Sequence, residues 1–255
     1  MKKYLIALAG LLMITSAQAQ EFKLAKSTGK LVISLPSVRV EGYAGNEIVF
    51  SSSKSDWEND ERAKGLRPIN GSGLEDNTGL GINVSDKGTT YEVSPVTAKG
   101  GEITIKVPKG VSISYTYNKV MNAGKAYFKN VEGELEISVQ HNKVDLENIS
   151  GPLTAKAVYG GIDAKFADNI KGPISIVSIY GYVDVSIPVA TKANLKMNTS
   201  HGEIFAAADL KIDLEKNASS DMVSYNNNNV RGKINGGGAE FTLRSDYGKI
   251  YLRKN

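Results

Sequence analysis

The residues that decide the fold run from 130 to 207 and form seven related units. The units are NVEGELEIS (130–138), VQHNKVDLE (139–147), NISGPLTAK (148–156), AVYGGIDAK (157–165), NIKGPISIV (169–177), SIYGYVDVS (178–186) and TSHGEIFAA (199–207). Each unit places a turn centred on Gly or Asn before a short alternation of apolar and polar residues. One type of turn recurs at spacings of 18, 21 and 21 residues and is repeated near the end of the chain, with the ring residues His141, Tyr159, Tyr180, His201 and Tyr247. A period of this size indicates a stacked repeat architecture.

The alternation within each unit predicts short β-strands with one buried face. Two strands make one coil of 18–21 residues, and successive coils stack at about 4.8 Å through backbone hydrogen bonds. The sequence therefore predicts an all-β, single-chain β-solenoid with ten or more coils and a length of about 50 Å. At the turns, Gly160, Gly181 and Gly202 are expected to adopt a positive φ, which Asn142 in the equivalent position also tolerates.

The first 19 residues predict a signal peptide that is cleaved after Ala19. Lys2 and Lys3 precede an apolar run of 11 residues, which is too short to span a bilayer, and the run ends at a small-residue cleavage pattern. An uncleaved anchor is the alternative. Residues 20–255 are predicted to form one β-solenoid domain with irregular insertions near 51–81 and 209–230. The expected location is the periplasm or the cell surface and extracellular space, because the mature chain has no further apolar segment long enough to span a membrane.

Composition excludes several classes of function. The chain has no cysteine, which removes disulfides, thiol nucleophiles and thiolate metal sites. Without Lys2 and Lys3, 29 basic side chains face 27 acidic ones, a net charge of +2. That balance does not favour nucleic acid as a partner. No phosphate-loop, dinucleotide or hydrolase-triad pattern is present.

The two histidines occupy a column of aromatic residues. His141 and His201 stand where other units carry Tyr159 or Tyr180. If the coils are equivalent, three coils, or about 15 Å, separate the two imidazoles. This interpretation favours ring packing beside a turn over a metal or catalytic site.

Three aspartates are the polar residues that most suggest a functional site. Asp145, Asp163 and Asp184 occupy equivalent outward positions in successive coils, about 5 Å apart. A ladder of solvated carboxylates is the favoured interpretation; binding of Ca²⁺ or acid–base hydrolysis of a glycan is the alternative. No arginine recurs beside this column in the repeat. Trp57, the only tryptophan, lies in the polar insertion and is a candidate contact for a partner.

Several segments resemble a bacterial family of exported proteins named putative adhesins, whose function is unknown. The segments are VRVEGYAGNEIVF (38–50), KVPKGVSISY (106–115), VEGELEIS (131–138), GPLTAK (151–156), YGGIDAK (159–165), YGYVDVSIP (180–188), SHGEIFAA (200–207) and DYGKIYLRKN (246–255). The resemblance covers most of residues 22–255. It implies a β-solenoid in the form of a right-handed parallel β-helix, and it supplies no catalytic residues.

The sequence favours a non-enzymatic cell-envelope protein that presents a stacked β-sheet surface for binding or adhesion. No cofactor is expected, and the expected partner is an envelope protein or a glycan surface. Two other hypotheses remain open. One is a polysaccharide-active enzyme that uses Asp145, Asp163 and Asp184, and the other is an accessory protein in envelope assembly or signalling.

Overall fold

The structure is a computed structural model that describes residues 20–52, 61–97, 102–215 and 229–255. The predicted signal peptide, residues 1–19, and the predicted contact residue Trp57 lie outside the described residues. Within the described part, no helix has the length and apolar character needed to cross a membrane.

Strands make up nearly all of the regular structure, with one short 3₁₀ helix at Glu61–Ala63. The strands are β1 (Gln20–Leu24), β2 (Thr28–Ile33), β3 (Val38–Tyr43), β4 (Ile48–Ser52), β5 (Ile82–Asp86), β6 (Thr90–Pro95), β7 (Ile103–Pro108), β8 (Gly110–Tyr117), β9 (Lys125–Lys129), β10 (Leu135–Val139), β11 (Lys143–Ile149), β12 (Leu153–Ala157), β13 (Ile162–Phe166), β14 (Ile174–Ser178), β15 (Val183–Ile187), β16 (Ala193–Thr199), β17 (Ile204–Ala206), β18 (Ile212–Leu214), β19 (Asn229–Ile234), β20 (Ala239–Ser245) and β21 (Ile250–Lys254).

The strands form two long sheets that enclose one hydrophobic core. Sheet A has the order β1-β4-β7-β3-β9-β11-β13-β15-β21-β17, and sheet B has the order β18-β19-β16-β20-β14-β12-β10-β8-β2-β6-β5. A strand of sheet B followed by a strand of sheet A makes one coil, and neighbouring coils pair in parallel. The predicted all-β solenoid with two strands per coil is confirmed. Its right-handed sense stays a prediction.

The described residues contain eight two-strand coils, so the expectation of ten or more was wrong. The remaining strands pair antiparallel at the two ends of the stack: β4 on β7, β1 on β4, β5 on β6, β19 on β16 and β18 on β19. These antiparallel strands cover the last parallel strand at three of the four sheet ends, and among the described strands β17 remains the edge of sheet A. They therefore limit the edges at which other chains could pair.

The coils do not stack in chain order at either end. The coil β2–β3 lies between β6–β7 and β8–β9. The coil β20–β21, which we call the closing coil, lies between β14–β15 and β16–β17. Both terminal coils are thus inserted into the stack, and each adds a layer of buried apolar side chains to the common core.

Inward-facing residues stack in register to form that core. Ala126, Val144, Ile162, Val183 and Ile250 are one such column, and each is fully buried. Complete burial of one Val, Leu or Ile contributes about 1.5–3 kcal/mol. Because the column repeats in every coil, this contribution accumulates along the stack.

The turn glycines are required for close stacking rather than for positive φ. A Cβ on Gly160, Gly181 or Gly248 would lie 1.9, 2.3 or 2.1 Å from a carbonyl oxygen of the adjacent coil's turn. Neither these glycines nor Gly202 has a positive φ, so that expectation was wrong. The Asn142 side chain is accommodated because it turns toward a different neighbour, where its Nδ2 donates to the Pro36 carbonyl at 2.7 Å.

A buried hydroxyl ties consecutive turns together. Ser245 Oγ donates to the Gly181 carbonyl of the adjacent coil at 2.7 Å and accepts from the Gly248 N–H of its own turn at 3.1 Å. Equivalent pairs of bonds are made by Ser178 and Thr199. The sequence signal is Ser or Thr three residues before the turn glycine, which the sequence interpretation did not use.

Candidate binding face

The outer face of sheet A carries the predicted aspartate column. Register pairs place Asp145 beside Asp163 and Asp163 beside Asp184. The column continues in both directions through Arg39, Tyr127, Tyr251 and Phe205. It therefore consists of three acidic residues with aromatic rings at each end.

Lysine side chains neutralise the negative charges of the first two aspartates, Asp145 and Asp163. Lys143 Nζ lies 3.3 Å from Asp145 Oδ1 and 2.9 Å from Asp163 Oδ2, and Lys125 forms a second ion pair with Asp145. The Tyr182 hydroxyl also donates to Asp163 Oδ2 at 2.7 Å. The hydrogen bond to Asp163 raises the pKa of Lys143, and the charges of Asp145 and Asp163 add to this against burial. Lys143 therefore remains a cation at neutral pH and bridges the two carboxylates.

An arginine from the closing coil compensates the third aspartate. Arg253 Nε donates to Asp184 Oδ1 at 2.7 Å and to Asp184 Oδ2 at 3.0 Å. The hydrogen bond to Asp184 raises the pKa of Arg253. The sequence interpretation found no arginine beside the column. It missed Arg253 because this residue reaches Asp184 only through the inserted position of β21.

A second network surrounds Tyr127 at the other end of the column. The Arg39 guanidinium lies 4.3 Å from the centre of the Tyr127 ring, and the Tyr127 hydroxyl donates to Glu147. Glu147 also pairs with Lys129 at 2.8 Å. Hydrogen bonds from Lys129 and Tyr127 lower the pKa of Glu147, so this carboxylate is ionised at neutral pH.

The aspartate column lines an open groove of about 420 Å³ that follows the solenoid axis. Its wall is formed by Tyr127, Asp145, Leu146, Glu147, Asp163, Ala164, Lys165, Asp184, Ser186 and Arg253. Among the described residues, no group of three or more His, Cys, Asp or Glu side chains is placed to hold a metal ion. The physical reason at this face is that Lys143 already occupies the space between Asp145 and Asp163.

The column of turn residues forms a continuous stack of rings beside this groove, which we call the ring ladder. Its order in space is His141, Tyr159, Tyr180, Tyr247 and His201, with centroid separations of 4.7, 5.0, 5.0 and 4.7 Å. All four interplanar angles are 14° or less. The predicted ring packing is confirmed. The two imidazoles are four steps apart rather than three, because the closing coil adds Tyr247 between Tyr180 and His201.

The chain matches a described family over roughly its second half. Residues 122–252 match the family described as Toastrack DUF4097. No curated protein matches the chain at a significant level.

Solved structures with low sequence identity align with this chain over more than nine-tenths of its length. A putative cell adhesion protein from Clostridium sporogenes is 15% identical, with a TM-score of 0.43, and the match covers 93% of this chain and 100% of that one. A putative adhesin from Bacteroides fragilis is 10% identical, with a TM-score of 0.34 and coverage of 94% and 98%. A putative adhesin from Parabacteroides merdae is 10% identical, with a TM-score of 0.27 and coverage of 92% and 96%.

Proposed function

The chain belongs to the Toastrack DUF4097 family, and on that premise we propose that it is an exported, non-enzymatic binding scaffold of the cell envelope. In this proposal the groove on sheet A holds a glycan, as an adhesin would. The observation that carries the proposal is the regular column of Asp145, Asp163 and Asp184, set between tyrosine rings in an open groove.

The charges of the groove favour a hydroxyl-rich ligand without a strong charge of its own. Each aspartate of the column already has a cationic partner. A polyanion would be repelled by the carboxylates. A polycation would have to displace Lys143 or Arg253. Hydroxyl groups can instead donate to the carboxylates and accept from ammonium and phenol groups without displacing either.

The repetition of the groove favours a polymer. Equivalent polar positions recur once per coil, at the strand spacing of about 4.8 Å. A polymeric ligand could make the same contacts several times along the stack, and its affinity would then exceed that of one repeat unit. The rigid strands that carry these side chains reduce the ordering cost of binding.

Affinity electrophoresis through gels containing defined neutral or charged polysaccharides tests the proposal. We expect at least one neutral polysaccharide to retard the protein. Asp163→Asn, which keeps the shape of the side chain but removes its charge, should weaken that binding by about tenfold, equivalent to about 1.4 kcal/mol. Asp213→Asn, on β18 at the far end of sheet B, is the matched control and should bind as the wild-type protein does.

Retardation that is unchanged in both Asp163→Asn and Arg253→Met would show that the groove is not the binding site. If crosslinking in native envelopes captured a protein through the groove, and no polysaccharide retarded the chain, the glycan proposal would be wrong. That outcome would favour an accessory role in envelope assembly or signalling.

A polysaccharide-cleaving role is the weaker proposal because Lys143 bridges Asp145 and Asp163, and Arg253 binds Asp184. Glycoside hydrolysis needs one carboxyl group to donate a proton and a second to act as nucleophile or base. Lys143 contacts both Asp145 and Asp163, where a sugar would have to lie. Incubation with the polysaccharides that bind should therefore release no new reducing ends, and release abolished by Asp163→Asn would establish the enzyme instead.

A further inference from the structure

The Tyr182 ring lies flat on the outer face of sheet A, over Gly161 of the neighbouring coil. β13 and β15 pair with Ile162 beside Val183, so Gly161 and Tyr182 are adjacent one position earlier. A Cβ added to Gly161 would lie 2.4 Å from Tyr182 Cε1, 2.6 Å from Cζ and 2.9 Å from Cδ1. These similar distances place the added carbon over a face of the ring, because an approach to the ring edge would leave Cζ and Cδ1 much farther away than Cε1. One ring face therefore covers the glycine, and the other faces away from the sheet.

The stacked rings on this side of the molecule are oriented differently. In the ring ladder each ring lies against the next, so the ring faces point along the solenoid axis. Phe205 stacks on Tyr251 in the same way, and the Arg39 guanidinium covers Tyr127. In the described part of the chain, no second ring and no cation is stacked on Tyr182, whose side chain is partly exposed. Tyr182 thus presents a ring face outward from the sheet.

The ring is also fixed at its hydroxyl end. The Tyr182 hydroxyl donates to Asp163 Oδ2 at 2.7 Å, and Lys143 Nζ lies 2.9 Å from the same oxygen. Burial raises the pKa of Tyr182, and the hydrogen bond to Asp163 adds to this, so the phenol keeps its proton at neutral pH. A ring that is held at both ends before a ligand arrives loses little conformational freedom on binding.

Asp163 is the aspartate of the column that is most accessible to a ligand. Its side chain is 39% exposed, against 16% for Asp145 and 20% for Asp184. Within the described part of the chain, Tyr182 and Lys143 both contact Oδ2, which leaves Oδ1 to accept a hydrogen bond from a ligand. Because Asp163 also lines the groove, it lies between the groove and the flat ring.

We propose that the outward face of Tyr182 stacks against a pyranose ring of the glycan, while Asp163 Oδ1 accepts a hydrogen bond from a hydroxyl group of that sugar. This inference rests on the proposed function, since it names the sugar class and one contact of the same binding face. The negative face of an aromatic ring attracts partly positive C–H bonds. A β-linked glucose unit presents only C–H bonds on its two faces and carries its hydroxyl groups at the rim, where Asp163 lies. The favoured ligand is therefore a β-linked glucan.

A purely structural role for Tyr182 is the alternative, because an aromatic ring over a glycine also stabilises a sheet. Two substitutions separate the roles. Tyr182→Phe keeps the flat face and loses only the hydroxyl group, whereas Tyr182→Leu covers Gly161 without a flat face. Gly161→Ala provides a third variant, because its methyl group would lift the ring while Asp163 and Lys143 stay in place.

Affinity electrophoresis compares a soluble mixed-linkage β-glucan with poly(vinyl alcohol), which carries hydroxyl groups but no sugar ring. We expect the β-glucan to retard the wild-type protein and poly(vinyl alcohol) to leave its mobility unchanged. Tyr182→Leu and Gly161→Ala should weaken binding by about tenfold, the upper end of the range for aromatic contacts, and Tyr182→Phe by no more than about twofold. Gly71→Ala, where an added Cβ meets no atom within 4 Å, is the matched control. Thermal melts identify any variant that fails to fold.

Saturation-transfer NMR with cellotetraose observes the stacking directly. Saturation of the protein's aromatic protons should reach the ring C–H protons of the sugar in the wild type and in Tyr182→Phe. It should be lost in Tyr182→Leu, a difference that a purely structural role would not produce.

The outcomes separate this inference from the function on which it rests. Binding that is lost in Asp163→Asn but unchanged in Tyr182→Leu would overturn the stacking role and leave the proposed function standing. Equal retardation by poly(vinyl alcohol) would show that hydroxyl groups suffice without a sugar ring, and equal losses of binding in Tyr182→Phe and Tyr182→Leu would assign Tyr182 a structural role. If no polysaccharide retards the wild-type protein, the proposed function itself fails, and the stacking role with it.

Discussion

Ile176 of β14 pairs in register with Leu243 of the closing coil, although Leu195 and Met197 of β16 follow it more closely in the chain. Met197 pairs with the other side of Leu243. All three of these stacked side chains, Ile176, Leu243 and Met197, are at most 1% exposed. The last strands of the chain therefore lie inside the core and join two coils that are consecutive in sequence but not in space.

Gly181→Ala should destabilise the protein strongly. The added Cβ would lie 2.3 Å from the Gly160 carbonyl oxygen, a backbone atom that cannot move without separating the two coils. We expect a loss of about 2–4 kcal/mol in the free energy of unfolding, in the range of severe steric substitutions. Urea denaturation measures this change.

Gly71→Ala is the matched control for that substitution. No atom lies within 4 Å of a Cβ at Gly71, and its φ is not positive. Its midpoint in urea should remain within error of the wild-type value. Equal midpoints for Gly181→Ala and wild type would contradict the role of close turn stacking.

Ser245→Ala should destabilise through two hydrogen bonds. The substitution leaves the Gly181 carbonyl and the Gly248 N–H without their partner, at a site that is completely buried. An unsatisfied buried polar group costs about 1–3 kcal/mol. Ser245→Thr should recover most of the loss, because Thr199 makes the same two bonds in the neighbouring coil. A thermal melt of Ser245→Ala that matches the wild type would show that these bonds contribute nothing.

The sequence was sufficient to show which face of a strand each side chain points to and which residues share a column. It was not sufficient to show which strands are neighbours in the sheet. Alternation shows that Val183 points inward and Asp184 outward, because side chains on a strand alternate between its two faces. It cannot show which strand lies next to β15, since the backbone hydrogen bonds that join parallel strands carry no residue-specific information. Tyr247 was therefore recognisable as a member of the ring column, but its contact with Tyr180, and the contact of Arg253 with Asp184, required the structure.

Stability should fall at acidic pH. Hydrogen bonds from Lys109, Lys30 and Lys129 lower the pKa values of Glu132, Glu136 and Glu147 respectively, and Tyr127 adds to the effect on Glu147. A folded-state pKa below the unfolded value stabilises the protein above the unfolded pKa, which is about 4.3 for Glu. That contribution is lost as the pH falls through the lower, folded-state pKa.

Thermal melts between pH 7 and pH 3 measure this dependence. The melting temperature should change little from pH 7 to pH 6 and decline below about pH 5, as the unfolded glutamates begin to bind protons. Glu147→Gln should reduce the slope of the decline, because one of the shifted groups is absent. A melting temperature that rises on acidification would mean that these ion pairs do not stabilise the fold.

Deletion of the closing coil, residues 239–255, should prevent cooperative folding rather than shorten the solenoid by one layer. The deletion removes Phe241, Leu243, Ile250 and Leu252, each at most 1% exposed. Four such side chains contribute about 1.5–3 kcal/mol each, a sum comparable with the net stability of a whole domain, about 5–15 kcal/mol.

The loss also breaks the stack, because β16–β17 would have to move by one strand spacing, about 4.8 Å, to reach β14–β15. Deletion of residues 20–24, the edge strand β1, is the control and should only lower the melting temperature. Differential scanning calorimetry and limited proteolysis distinguish the two variants. A closing-coil deletion that melts in a single transition near the wild-type temperature would show that β16–β17 can repack onto β14–β15. The inserted coil would then be dispensable for the fold.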